Sequence, residues 1–142
     1  MEEVIHYLEL KNQYYEKFHA MTCKFLEQAR ENRWDDLDFF VDNRERILNI
    51  IRSYDFKIAK LFEEQDLTKL DLHVYRPRVK SLLESREQWV KKIVAVDLEL
   101  VSKIDEMKSE TIRDLKRSVE TNHQLNAFST SNPRPTPKTK EV

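Results

Sequence analysis

Apolar residues recur at spacings of three and four through the first thirty positions, as Val4, Tyr7, Leu10, Tyr14, Phe18, Met21, Phe25 and Ala29. That period places them on one face of a helix, which predicts a first helix over about residues 3–31. Asn32 then supplies a residue tolerant of the left-handed conformation that closes a helix C-terminus. Asp35 offers an oxygen to cap the next helix. A second ladder (Leu37, Phe40, Val41, Arg44, Ile47, Leu48, Ile51, Tyr54, Ile58, Phe62) predicts a helix over about 35–65. The intervening turn is too short for anything but an antiparallel pair. The period is lost over 66–76, which reads as a linker, and Pro77 suits the first turn of a third helix.

The third ladder runs through Val79, Leu82, Arg86, Trp89, Ile93, Val96, Leu100, Ile104, Met107, Thr111 and Leu115, and weakly on to Leu125. Unbroken, it spans about 70 Å, against about 45 Å for each earlier helix. The surplus must project, bend, or break into a fourth helix somewhere after Met107, where the apolar content thins.

Composition narrows the fold. The 142 residues contain no glycine, so a Gly-rich nucleotide loop is excluded, and hairpin-rich β architectures and short βα loops are disfavoured. An all-α antiparallel bundle of three long helices is expected, forming one domain over 1–128. The Ser, Thr, Asn, Pro and Lys composition of 129–142 predicts a disordered polar tail. Basic and acidic residues number 25 and 26 and are interspersed, so nucleic acid is not an implied partner. The Met-Glu-Glu start and the shortness of every apolar run argue against a signal peptide or a membrane span, and so for the cytoplasm.

Candidate chemistry is sparse. Two Glu-x-x-His pairs, Glu16/His19 and Glu120/His123, have the residue types of a di-iron bundle site. At about 100° per residue, however, Glu16 and His19 each fall about 160° from a core position, so both are expected to face water. Cys23 reads as a small core residue. No catalytic residue, metal or cofactor is expected.

The informative excess is apolar. Ten of the sixteen residues from Trp89 to Ile104 are hydrophobic. One stripe of them packs inward on the other helices, while a second, Val90, Val94, Leu98 and Val101, lies about 100° around the helix. Helix two carries a comparable satellite row, Phe39, Ile50 and Leu61. A fourth helix, a second copy of the chain, or the amphipathic helix of a partner is required to cover these rows. The last segment, 108–128, is one such cover. Its ladder is thin enough for weak docking that a partner helix could displace.

The run LEQARENRWDDLDFF sets Leu26, Ala29, Trp34, Asp35 and Leu37 in an L-x-x-A-(x)4-W-D-x-L pattern that resembles the FliT family of flagellar export chaperones, with Asn32 where that family often has glycine. VDLELVSKI and the closing Leu125, Asn126, Ala127 and Phe128 are similar to the same family's later motifs. The resemblance covers about residues 5–128. It implies a cytoplasmic type III export chaperone that shields the C-terminal helix of the filament-cap protein and delivers it to the export gate, with the export ATPase as a further contact. Sister chaperones for hook-junction or filament subunits share this composition, and a client-free coiled-coil homodimer is the competing reading.

Overall fold

The computed structural model describes residues 1–65 and 72–131. It is all-α: α1 (Glu2–Arg30), α2 (Leu37–Glu64) and α3 (Leu72–Ser131), with contacts among all three helices. The predicted ladders and helices agree to within two residues at every end of α1 and α2.

The α1–α2 turn is built by the residues the sequence singled out. Asn32 sits at φ 59°, and its N–H donates to the Ala29 carbonyl while that of Arg33 donates to Gln28, both at 2.9 Å. This is the paired closure of a Schellman motif, with asparagine in the place glycine usually takes. Trp34 secures it, donating from Nε1 to Asn32 Oδ1 at 3.0 Å and setting its ring edge-on to Phe25. The cap of α2 falls at Asp36 rather than Asp35, and its side chain makes no capping hydrogen bond. The Phe40 N–H bonds to the Asp36 carbonyl instead.

Two expectations about α3 are corrected. It begins at Leu72, inside the expected linker, and carries Pro77 within it. Proline removes one hydrogen bond of the ladder, and Arg78, the next residue, pairs with Glu2 and Glu9 of α1. Of the outcomes left open after Met107, a break is not the one taken among the described residues, where the helix runs without interruption to Ser131. Residues 66–71 of the linker and 132–142 of the tail lie outside the described residues.

The chain divides into two compact units, Met1–Ile104 and the remainder from Asp105. In the first, α1 is the central helix. It is antiparallel to α2, which makes the closest backbone approach: Phe25 stacks on Phe40 at 4.3 Å, and the buried Lys11 pairs with Asp55. It is parallel to the first part of α3. Glu9 with Arg78, Asn12 with the Leu82 carbonyl, His19 with Trp89 and Arg30 with Glu99 all meet at a nearly constant separation in sequence, so the two helices stay in step over six turns. The core gathers Phe25, Leu26, Ala29, Phe40 and Leu100, with Met21, Trp34, Leu37, Val96 and Ile104 against it.

In the second unit, the helix from Asp105 exposes Ile112, Leu115, Val119 and Leu125.

Candidate functional site

Helix geometry fixes what surrounds the bond between α2 and α3. Arg44 donates to Asp97 through both terminal guanidinium nitrogens, Nη1 and Nη2, at 2.9 and 2.8 Å, with its guanidinium stacked 4.5 Å from the ring of Phe18. Residues three and four apart share a helix face, so Val41 and Leu48 flank Arg44 on α2 while Val94 and Val101 flank Asp97 on α3. The two half-buried charges therefore form the floor of an apolar strip. Its α3 wall stays open, with Val90, Val94 and Val101 at 38%, 51% and 54% exposure, and Leu98 at 68%. Val41 is exposed on the opposite wall, and Leu48 is half-buried.

The residues expected to bind a partner fall into two places. Val90, Val94, Leu98 and Val101 form one continuous exposed row, as their spacing requires. Phe39, Ile50 and Leu61 lie about 60 to 100° around α2 from its buried Phe40–Ile51 line, in the direction opposite to Arg44. They border the α1–α2 side. Phe39, strongly exposed, stands at the rim of a recess of about 80 Å³ lined by Met21, Phe25 and Phe40 among others, while Ile50 and Leu61 are half-buried. Within this unit the α3 row is thus joined by Val41 and Leu48, which belong to the main ladder of α2. Asp97 was legible as the acid of the VDLELVSKI segment, but its pairing with Arg44 was not, because a cross-helix partner leaves no mark in the sequence.

The Glu-x-x-His pairs behave differently from each other. Glu120 and His123 are exposed, and so is Glu16. His19, expected to face water, is half-buried against Trp89 at 5.7 Å. The cause is the central position of α1, which has neighbours on two flanks and so buries a wider arc than one apolar ladder shows. Cys23 Sγ lies 3.5 Å from His19 Nε2 on this same flank, half-buried rather than in the core. Among the described residues no group of His, Cys, Asp or Glu is placed to hold a metal ion, and no helix is long and apolar enough to cross a membrane.

A second polar feature lies toward the free ends of the α1–α2 pair. Tyr54 sits between Tyr7 and Tyr14, at ring distances of 5.6 and 5.8 Å, with Lys57 over two of the rings. Burial raises the Tyr54 phenol above the usual tyrosine range, and its neighbour Tyr14 adds to the effect. These groups pack α1 against α2.

No protein-family model matches the chain, and no match is found among curated proteins or solved structures.

Proposed function

We propose that this chain is a binding protein of the FliT-like export-chaperone kind, which acts in the cytoplasm, performs no chemistry, and holds an amphipathic client helix along the strip between α2 and α3. The observation that carries the reading is the half-open apolar strip around Arg44 and Asp97. A helix-in-groove partner presents apolar residues at i, i+3, i+4 and i+7, and Val90, Val94, Leu98 and Val101 offer the matching period. The charged pair in the floor gives such a partner a fixed register, because a polar residue set opposite it finds hydrogen-bond partners and an apolar one does not. The choice of client follows from the resemblance at Leu26, Ala29, Trp34, Asp35 and Leu37: the C-terminal helix of a flagellar filament-cap protein, delivered to the export gate.

Calorimetric titration with a peptide of that helix tests the reading. Saturable binding is expected that weakens at least tenfold in Val94→Glu, since an unpaired carboxylate buried at an interface costs several kcal/mol. Binding unaffected by Val94→Glu and Val101→Glu would move the client elsewhere. Failure of the cap-protein peptide beside success of a hook-junction or filament-subunit helix would reassign the client while keeping the strip.

A further inference from the structure

The recess beside Phe39 belongs to a longer groove on the α1–α2 side. Two rows border it, each at alternating spacings of three and four, so each keeps to one helix face. On α1 the row is Tyr14, Lys17, Met21, Lys24 and Gln28, and on α2 it is Asp36, Phe39, Asn43, Arg46 and Ile50. They meet at the recess, which Met21, Lys24 and Gln28 line from one side and Asp36, Phe39 and Asn43 from the other. Toward the free ends the groove passes Tyr54 and Lys57, which meet Tyr7 and Tyr14, and reaches the half-buried Leu61.

The charge of this groove is one-sided. Lys17, Lys24, Arg46 and Lys57 are exposed along it, and Asp36, at the turn, is the one carboxylate in either row. The chain as a whole carries a net charge of −1. Cations that bridge helices elsewhere have their acids: Lys11 with Asp55, Arg30 with Glu99, Arg44 with Asp97 and Arg78 with Glu9. None of the four groove cations has an ion pair among the described residues. Two are held over rings instead, Lys17 at 4.6 Å from the centre of Tyr14 and Lys57 at 5.6 Å from that of Tyr7. Their ammonium groups are thus placed before anything binds, which lowers the ordering cost of meeting a carboxylate.

We propose that this groove is a second docking surface, which takes an acidic amphipathic helix of a partner protein, its apolar residues on Met21, Phe39 and Ile50 and its carboxylates toward the four cations. The period of such a helix matches the two rows, and charge complementarity selects its sign. The arrangement gives the 69% exposed Phe39 an occupant. Single-stranded nucleic acid is the other polyanion that meets lysine and aromatic residues, but it needs open ring faces on which bases stack. Here the three tyrosines are half-buried and packed on one another, at 5.6 and 5.8 Å, with Lys57 over two of them. The groove borders the flank of α2 opposite Arg44, so a helix seated in it leaves the strip around Arg44 and Asp97 free. The proposal goes beyond the client reading and does not rest on it.

Fluorescence anisotropy with the full chain and a labelled peptide of three heptads, leucine at a and d and glutamate or alanine elsewhere, tests it. Saturable binding is expected, and it should weaken at least tenfold between about 50 and 300 mM salt. Lys17→Glu combined with Arg46→Glu, both at exposed positions, should raise the dissociation constant at least tenfold with helical content unchanged, because like charges then face the peptide. Val94→Glu should bind as the parent does. Absence of saturable binding, equal binding of a peptide with lysine in place of glutamate, or undiminished affinity in the double variant would overturn the inference. So would a single-stranded oligothymidine that binds as tightly as the acidic peptide, since the groove would then read polyanions at large. None of these results bears on the cap-helix titration, which reads Val94→Glu and Val101→Glu.

Discussion

α1 and the first part of α3 run side by side in constant register, yet they are buried very differently. α1 is buried along its length, from Val4 and Ile5 through Phe18 and Thr22 to Ala29, and even includes Lys11. Among the described residues of α3, Leu100 alone is buried, although the stretch from Trp89 to Ile104 is ten-sixteenths hydrophobic. Burial follows neighbours rather than composition. α1 has a helix on each flank, and polar Lys11 and Thr22 are enclosed because they lie in that arc. They are satisfied there by Asp55 and by the Phe18 carbonyl respectively. α3 has apolar surface to spare, and the proposed client contact rests on this mismatch.

The largest effect should separate the two stripes of α3. Ile93→Glu sets a carboxylate on the inner stripe and should cost about 3 kcal/mol or more, enough to abolish a cooperative urea transition. Leu98→Glu, one turn away but outward, should leave the transition within about 0.5 kcal/mol of the parent. Equal losses would make the outer row ordinary core. Leu100→Ala should follow at about 2 to 4 kcal/mol, the usual cost of a cavity at a buried leucine, read from the same unfolding curves.

Asp97→Ala tests the floor of the strip. It leaves a half-buried guanidinium with Phe18 as its remaining partner, and a destabilisation of about 1 to 2 kcal/mol is expected in denaturant melts. A neutral outcome would show Arg44 swinging to solvent. Asn32→Ala should cost about 1 kcal/mol, because alanine is strained at a positive φ and cannot accept from Trp34, whereas Asn32→Gly should come closer to the parent.

The smallest effect concerns Tyr54. Its phenol is held above the unfolded value, so the neutral form stabilises the fold fully below the ordinary tyrosine pKa, and that contribution is lost as the pH rises through the raised one. Spectrophotometric titration should show one tyrosine ionising late, and Tyr54→Phe should abolish it while reducing the alkaline loss of stability.

Much of this architecture was legible because it is written in local period and turn chemistry. The ladders of α1 and α2 and the left-handed Asn32 are properties of a few consecutive residues. The features that escaped depend on distant pairs. Pro77 reads locally as a helix start, but ion pairs from Arg78 to Glu2 and Glu9 accompany a helix begun five residues earlier. His19 looks solvent-facing until Trp89, seventy residues on, is set beside it. The satellite row of Phe39, Ile50 and Leu61 looked equivalent to the α3 row because each was judged against its own ladder. Which flank of α2 faces α3 was fixed only by Arg44 and Asp97.

The central claim is that the outer row of α3 is an interface and not surplus core, and calorimetric titration of the filament-cap helix peptide into the parent chain beside Leu98→Glu tests it most directly. The account predicts saturable binding to the parent and binding at least tenfold weaker to the variant, with the same helical content by circular dichroism. A variant that binds the peptide as tightly as the parent, or one that loses its helical content, would contradict it.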